Sequence, residues 1–520
     1  MTNILVPLVV TIPLLGAAIA LMLGRRRGQQ IFVSVTALTA VVVISAILLI
    51  EVDRSGPAVV HVGDWQAPWG IVLVVDRLSA IMLLISALML LGVLLFAVGQ
   101  GIIDGDRETP ISIFHPTYLV LAAGLFDAFI AGDLFNMYVG FEMLLSASYV
   151  LLTLGGTGAR IRVGVTYIVV SLMSSLLFLS AIALLYGATG TVTMALLAER
   201  IPDLPADVQL ILHLLLLLAF CVKAAVFPLS FWLPDSYPTA PAPVTAVFAG
   251  LLTKVGIYAI IRTETLLFPD GTLTMALMIA ALLTMVIGIL GALAQADIKR
   301  LLSFTLVSHI GYMIFGIALG SQLGMAATIY YVVHHISVQT TLFLIAGLIE
   351  RIGGTTSLSR LGGLLKTAPL VAILFFIGAL NLGGIPPFSG FLGKVALFEA
   401  GVNEGGVLVY VLIAGGAATS LLTLYALARA WNIAFWRSRA EVKNYDSPVL
   451  GALQEDPHDE GTVMTKTISP LMTGAAASML ALTVALTIFA GPLFDLSDRA
   501  ASDIDQPATY IDAVFPNGAP

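Results

Sequence analysis

Four ionisable side chains lie deep inside apolar segments of the 520-residue chain: Glu142, Lys223, Lys254 and Lys394. At about 1.5 Å per helical residue, Glu142 and Lys254 are roughly 12–20 Å from either end of their segments. This distance is too long for their side chains to reach water comfortably. An ionisable group at the centre of a bilayer costs about 2.5–3.5 kcal/mol on insertion scales, so these residues need partners and a use.

The types of side chain, taken in chain order, are suited to carrying protons. Three histidines, His309, His334 and His335, lie between Lys254 and Lys394, which gives a series of carboxylate, lysines, histidines and lysine. The proton affinity of a buried lysine depends on its distance from a carboxylate, so movement of one against the other can load or release a proton. We therefore predict a proton relay through these positions. Three further polar residues are possible accessories: Asp127, Asp235 and Gln339.

Each of these assignments has a structural alternative. The charged residues could form ion pairs that only hold helices together, and His309 could be hydrogen-bonded between two helices. Adjacent helical residues point to different faces, so at most one of His334 and His335 is expected to line the relay. Asp133 is expected to cap a helix. Arg262 falls near a predicted membrane boundary and needs no special role.

The composition identifies the chain as a polytopic membrane protein. Hydrophobic residues make up 59% of it and charged residues 11%, with a mean hydropathy of +1.01, whereas soluble domains carry about 25% charged residues. The single cysteine, Cys221, excludes a disulfide framework and a cysteine metal cluster. The sequence contains no nucleotide-binding glycine loop or zinc motif, and no haem-ligand pair beyond the histidines assigned to the relay. We therefore expect no cofactor, no metal site and no nucleic-acid partner.

The apolar runs predict an all-α fold with about fourteen membrane-spanning helices. The predicted spans lie near 4–24, 31–50, 76–99, 115–131, 134–155, 163–187, 208–231, 241–262, 272–294, 301–320, 324–349, 368–399, 406–428 and 468–493. Loops after odd-numbered spans hold sixteen Lys and Arg residues, whereas loops after even-numbered spans, the span ends beside them and the tail hold five. Because cytoplasmic loops are rich in these residues, both chain termini are predicted to be outside.

Two of the predicted spans contain helix-breaking residues. Pro228 and Pro234 fall in the second half of span seven, and the run NLGGIPPFSGFLGK interrupts span twelve as far as Lys394. Each proline ring removes a backbone donor and crowds the preceding turn. Unpaired backbone is tolerated at membrane depth only inside protein or beside water. Paired breaks in two halves of a chain are typical of inverted repeats, so we predict two five-helix repeats, spans four to eight and spans nine to thirteen.

These spans divide the chain into five predicted parts. The parts are 1–110 with three flanking helices, 111–265 with the first repeat, 266–430 with the second repeat, 431–467 as a cytoplasmic linker, and 468–520 with the last span and a polar external tail. The linker contains the acidic run QEDPHDEG, which has no helical period, so little fixed structure is expected there.

Four motifs in this chain resemble those of a known family. The runs AGDLFNMYVGFE, VKAAVFPLSFWLPDSYPTAPAPV, LLTKVGIY and GGIPPFSGFLGK are similar to segments of the antiporter-like subunits of respiratory complex I and of the Mrp multisubunit cation/proton antiporters. The first run and the chain length resemble most the D-subunit branch of the Mrp Na⁺/H⁺ antiporters. This resemblance implies a fourteen-helix fold with inverted repeats.

The resemblance also implies roles for individual residues. Glu142 and Lys223 are similar to the carboxylate–lysine pair of the family, Lys254 to its central lysine and Lys394 to its terminal lysine. Gln339, in the run HHISVQTTLFLIAG, stands where the resemblance implies a lysine. This departure raises the importance of the neighbouring histidines and of bridging water.

The sequence and the resemblance together predict a proton-translocating subunit of a multisubunit Na⁺(monovalent cation)/H⁺ antiporter in a bacterial-type cell membrane. The expected partners are other membrane subunits, the lipid bilayer and the transported ions Na⁺ and H⁺, with no enzymatic activity. One alternative is a proton-pumping membrane-arm subunit of a redox complex, such as a complex I-like NADH:quinone oxidoreductase or a membrane-bound hydrogenase. Another is a scaffold beside a sister subunit that moves the ions.

Overall fold

The computed structural model describes residues 2–101, 111–156, 158–438, 441–442 and 469–518. Residues 443–467 of the predicted linker lie outside these ranges, as does the loop residue Arg107. At the start of the predicted linker, Asn432–Trp436 continues the preceding helix as a π-helical turn. The linker therefore begins later than predicted.

Helices make up most of the described chain. In chain order they are α1 (Thr2–Met22), α2 (Arg27–Ser55), α3 (Arg77–Gln100), α4 (Ile111–Ile130), α5 (Leu134–Thr153), α6 (Gly158–Thr189), α7 (Met194–Arg200), α8 (Ala206–Ala224), α9 (Leu233–Ser236), α10 (Ala242–Val247), α11 (Thr253–Arg262), α12 (Thr274–Leu293), α13 (Ile298–Ala318), α14 (Gln322–Gly353), α15 (Leu364–Thr367), α16 (Pro369–Gly383), α17 (Ser389–Glu404), α18 (Val407–Trp431), α19 (Pro470–Ile488), α20 (Ala490–Ile504) and α21 (Pro507–Val514). Two strands, β1 (Ala58–His61) and β2 (Val72–Val75), pair in an antiparallel hairpin between α2 and α3. Two π-helical turns, Phe248–Leu252 and Thr263–Leu267, flank α11 and make α10 and α11 one membrane helix, Ala242–Leu267.

The predicted all-α membrane fold is confirmed. Within the described residues, thirteen helices are long and apolar enough to cross a membrane. Predicted span twelve is not among them, because it consists of two shorter helices, α16 and α17, on either side of residues 384–388. Counted as one further crossing, this broken pair gives the predicted fourteen.

Span seven is also broken, at an earlier residue than predicted. The helix α8 ends at Ala224, and Ala225 follows in the left-handed conformation with a φ of 59°. Pro228 lies beyond the helix end, so the predicted extension of this helix to residue 231 is wrong. The indole nitrogen of Trp232 donates to Val222 O at 3.2 Å, which satisfies a carbonyl group near the free helix end.

Matching features occur in the two halves that were predicted as repeats. The broken helices α8 and α16 both end before a left-handed residue, Ala225 and Gly384. Asp133 and Asp297 cap α5 and α13, and each forms an isolated β-bridge with a distant loop. The predicted capping role of Asp133 is thus confirmed. These pairs support the inverted repeat, which itself stays a prediction.

The C-terminal helices α20 and α21 cover one end of the molecule, called here the tail face. Phe494 in α20 stacks on Tyr330 in α14 with 3.9 Å between ring centroids. Asp503 in α20 pairs with Arg77 at the start of α3 at 2.6 Å. The sequence predicted only a polar tail over 497–520, whereas these contacts belong to packed helices, since α20 has one apolar face.

Candidate proton-relay site

Lys223 lies in the last turn of α8, beside the break that ends this helix. Its side chain is buried, and Nζ donates to Ser175 Oγ at 2.9 Å and to Ser171 O at 3.3 Å, both on α6. Nζ also lies 5.8 Å from the centroid of the Phe141 ring, within reach of a cation–π contact. A cavity of about 20 Å³ adjoins the lysine, which is enough space for a water molecule.

Glu142, the next residue after Phe141 on α5, is the carboxylate whose charge acts on Lys223. Its Oε1 atom is buried and has no hydrogen-bond partner among the described residues. Lys223 donates to the two serines of α6 rather than to this carboxylate. The two groups of the predicted pair therefore interact electrostatically but form no hydrogen bond with each other in this conformation.

Lys254 is fully buried near the start of α11, directly after the π-helical turn Phe248–Leu252. Its Nζ donates to Ala249 O of that turn at 2.8 Å. Such turns are frequent at functional sites. Gly256 lets α11 approach α8 closely, since a Cβ at this position would lie 2.6 Å from Ala224 N. The helices that carry the first two lysines therefore touch next to both of them.

His309 and His335 form a buried cluster with Tyr331 between α13 and α14. The two histidine rings are 5.2 Å apart between centroids, and the Tyr331 hydroxyl lies 2.9 Å from His309 Nδ1. In the described part of the chain, His309 Nε2 and both ring nitrogens of His335 have no hydrogen-bond partner. The structural alternative for His309 thus accounts for only one of its two nitrogens. Buried polar atoms normally have partners, so these ring nitrogens are unsatisfied by the described protein groups.

His334 lies on the other side of Tyr331, with 5.5 Å between the ring centroids, and faces the break between α16 and α17. Its Nδ1 is 2.9 Å from Ser389 Oγ, and Asn381 Oδ1 accepts from Ser389 Oγ and from Gly390 N. Among the residues described, nothing bonds His334 Nε2. Both adjacent histidine rings border Tyr331, whereas the expectation that at most one of them lines the relay stays a prediction.

Lys394 lies in α17 and is buried against the end of α16. Its Nζ donates to Ser420 Oγ at 3.0 Å and to the last two carbonyl oxygens of α16 at 3.2 and 3.3 Å. The broken helix thus supplies free carbonyl groups to an ammonium group. Nζ also lies 5.2 Å from the centroid of the Tyr312 ring, which is 5.6 Å from the Tyr331 ring. Lys394 therefore adjoins the histidine cluster.

Gln339 lies on α14 one turn beyond His335 and faces α13. Its Nε2 donates to Leu302 O at 2.8 Å, and its buried Oε1 has no partner within the described residues. The next residue, Thr340, packs on the π-helical turn before Lys254, since a Cβ on Gly250 would overlap Thr340 Oγ1. The neutral amide of Gln339 therefore lies in the part of α14 that faces the helical segment carrying Lys254.

The other two predicted accessory residues lie elsewhere. Asp235 is exposed and pairs with Arg300 at 2.6 Å. Asp127 is buried in α4 and accepts a hydrogen bond from Asn136 Nδ2 at 3.3 Å, beside the helix cap at Asp133. Burial raises the pKa of Asp133 to about 6, and backbone hydrogen bonds offset part of this effect. Asp127, near the end of α4, and Asp133, the cap of α5, thus lie on either side of the turn between these helices.

The sequence did not indicate a buried ion pair and a buried histidine–carboxylate hydrogen bond near the tail face. Arg262 pairs with Asp76 at 2.6 Å and thereby joins the end of α11 to the start of α3, so the expectation that it needs no special role is wrong. His213 Nε2 lies 2.6 Å from Glu264 Oε1. The available signal was that His213 and Glu264 are each ten residues from a predicted relay lysine. Spacing alone does not indicate that two such residues meet.

Known proteins share this fold and these motifs. Residues 131–423 match the family described as NADH:quinone oxidoreductase/Mrp antiporter, TM. The D-subunit of the Na(+)/H(+) antiporter of Alkalihalophilus pseudofirmus is 39% identical over 518 residues, which is 99% of each chain. A chain in the structure of the Mrp complex from Dietzia sp. DQ12-45-1b is 31% identical with a TM-score of 0.88, over 99% of this chain and 100% of that one. A chain of respiratory complex I from Thermus thermophilus is 25% identical with a TM-score of 0.77, over 97% and 100%. The protein therefore belongs to the NADH:quinone oxidoreductase/Mrp antiporter family of membrane subunits, and within it to the Mrp-type D-subunit proteins.

Proposed function

We propose that the protein is a proton-translocating subunit of a multisubunit Na⁺(monovalent cation)/H⁺ antiporter, a multi-pass membrane protein that works with other membrane subunits. The observation that carries this proposal is the buried row of titratable groups between Lys223 and Lys394. At its centre, four histidine ring nitrogens have no partner among the described residues. The name of the Alkalihalophilus relative and the Dietzia Mrp complex give further support.

Each member of the row has a role in this proposal. Glu142 moves relative to Lys223 and so controls whether the lysine holds its proton. Lys254 and the histidine cluster pass the proton on through water, and Lys394 exchanges it with one aqueous side. A hundredfold change in the proton affinity of Lys223 corresponds to about 2.7 kcal/mol. One charge crossing a potential of about 100 mV involves about 2.3 kcal/mol, so the two magnitudes match.

The proposed location is a bacterial-type cell membrane, with both chain ends outside. The support for this orientation is the excess of Lys and Arg in loops after odd-numbered spans. In this orientation the tail face is the outer face. Its ion pairs and cavities would then meet the external medium.

The test uses the complete complex in everted membrane vesicles of a host that lacks its own antiporters. We expect Glu142→Gln and Lys223→Ala to abolish Na⁺-dependent proton movement while the complex still assembles. The matched controls are Glu404→Gln and Lys366→Ala, which change exposed residues of the same types and should leave antiport unchanged. Normal exchange by either relay variant would contradict the proposed roles.

The redox alternative is favoured by the likeness to a chain of complex I. In that case the same buried row would be driven by electron transfer in a neighbouring subunit. Flavin or iron–sulfur absorbance in the purified complex would support it, and Na⁺/H⁺ exchange by a complex free of such absorbance would exclude it. For a scaffold, transport would continue after neutralisation of all four predicted charged positions.

A further inference from the structure

His213 and Glu264 form a buried, hydrogen-bonded pair that the row described above does not use. His213 Nε2 lies 2.6 Å from Glu264 Oε1, and their side chains are only 2% and 8% exposed. The imidazole ring also stacks on Phe268, with 4.4 Å between centroids and 1° between the ring planes. This packing holds Nε2 toward the carboxylate. Nδ1 is then the ring nitrogen that can accept a further proton.

The pair lies between two cavities at the tail face. The His213 side borders a cavity of about 320 Å³, whose wall also includes Asp207, Asp270 and Phe268. Glu264 borders a second cavity of about 90 Å³, whose wall also includes Asp505 and other residues of the C-terminal helices. A group that exchanges protons with the medium needs such access. The buried position of the pair alone would not provide it.

The pair is also at the end of the two helices that carry the first two lysines. His213 precedes Lys223 by ten residues on α8, and Glu264 follows Lys254 by ten residues on the membrane helix containing α11. At 1.5 Å per residue, both separations are about 15 Å. Glu264 also lies in a π-helical turn, Thr263–Leu267, as Lys254 lies next to one. These two helices therefore carry Lys223 and Lys254 in their middle parts and His213 and Glu264 at the tail face.

We propose that His213 and Glu264 form the proton-exchange site of the tail face, through which the relay takes up or releases protons on that side. This inference rests on the proposed function. A proton from the cavity binds His213 Nδ1, and the pair changes from neutral imidazole with carboxylate to imidazolium with carboxylate. Release reverses this step. Buried apolar side chains such as Leu216 and Phe220 occupy α8 between the pair and Lys223, so this conformation is open to the tail face and closed to the lysines.

Other charged and titratable groups lie near the pair. Asp207 and Asp270 line the larger cavity together with His213, and Asp505 lines the smaller cavity together with Glu264. The Cys221 thiol on α8 also interacts electrostatically with Glu264.

The experiment varies the pH on the tail-face side only, in proteoliposomes that contain the complete complex, and measures Na⁺-dependent proton exchange. We expect His213→Gln and Glu264→Gln to move the pH of half-maximal exchange on that side by about one unit, a tenfold change in proton concentration. The matched control His115→Gln changes another buried histidine, which is 3.0 Å from Ser34 Oγ, and should keep the wild-type profile.

A purely structural pair would give a different result. Loss of such a pair would lower the exchange rate equally at every pH or leave it unchanged. In both cases the pH profile would keep its wild-type position, and either result would overturn the proposal. If the Gln variants do not assemble, Glu264→Asp is used instead, because its shorter side chain loses the 2.6 Å contact with His213 Nε2 and should also move the profile; an unmoved profile would overturn the proposal. Active variants of Lys223 or Glu142 would refute the proposed function itself, whereas an unmoved profile in the His213 and Glu264 variants would refute only this inference.

Discussion

Replacement of Asp76 by Asn removes one charge from the buried pair that joins the start of α3 to the end of α11. Asp76 Oδ2 lies 2.6 Å from Arg262 Nη2, and the two side chains are 6% and 5% exposed. Asparagine keeps the helix cap, in which the side chain accepts from Ser79 N at 2.9 Å. The loss of folding stability should therefore come from the guanidinium group of Arg262, which is left without its partner. Breaking a buried pair in this way costs about 3–5 kcal/mol. The measurement is the free energy of unfolding of the purified protein in mixed micelles.

The matched control is Asp235→Asn, which breaks a pair of the same length in an exposed position. Asp235 and Arg300 are also 2.6 Å apart, but their side chains are 66% and 46% exposed. Solvent screens such a pair, so its loss should cost less than about 1 kcal/mol. A double variant, Asp76→Leu with Arg262→Met, removes both buried charges and should recover most of the lost stability. Equal losses from Asp76→Asn and Asp235→Asn would refute the reasoning.

The pH dependence gives a second check on the same pair. Burial opposes ionisation of Asp76, but the charge of Arg262 and the hydrogen bonds from Ser79 outweigh it and hold the pKa of this carboxyl below its ordinary value of 3.8. A lowered pKa means that the stabilisation is complete above the unfolded value and is lost as the pH falls through the folded value. The wild type should therefore lose stability below about pH 4. Asp76→Asn should lack this part of the acid transition.

Two other substitutions give specific outcomes. Gly390→Ala would place a Cβ in overlap with Asn381 O and 3.0 Å from His334 Nε2, so we expect a lower melting temperature and slower antiport. The control Gly474→Ala, whose Cβ would have no atom within 4 Å, should change neither. Asp133→Asn keeps a helix cap but removes a carboxyl whose pKa burial raises to about 6. Because the folded state then holds its proton more tightly than the unfolded chain, wild-type stability should fall as the pH rises from about 4 to about 6. The Asn variant should lack this fall in a series of thermal unfolding measurements.

The sequence was sufficient for the parts of the fold that depend on local chemistry. Apolar run length predicted the helices, and the prolines and glycines near Lys223 and Lys394 predicted both broken spans, because these residues act on their own backbone. The positions of Glu142 and Lys254 inside apolar helices also followed from the apolar segments, whereas their depth in a membrane stays a prediction. Each of these inferences needs only the neighbouring sequence.

Contacts between distant segments could not be predicted in this way. Lys223 donates to Ser175, and His334 contacts Ser389, across separations of 48 and 55 residues. Such contacts depend on how the helices pack, which hydrophobic periodicity does not specify for helices that are apolar on every side. The π-helical turn before Lys254 is likewise absent from the predicted spans, since one additional residue in a turn leaves no mark on an apolar run.

The position of the chain's last helices has a consequence for how the protein is made. Phe494 and Asp503 contact α14 and α3, segments that the ribosome completes long before it reaches the C-terminus. Until the C-terminal helices have been synthesised, these earlier helices lack the contacts described at the tail face. A chain cut before Ala490 would leave Tyr330 and Arg77 without these contacts, so that α3 and α14 would be less firmly joined at the tail face.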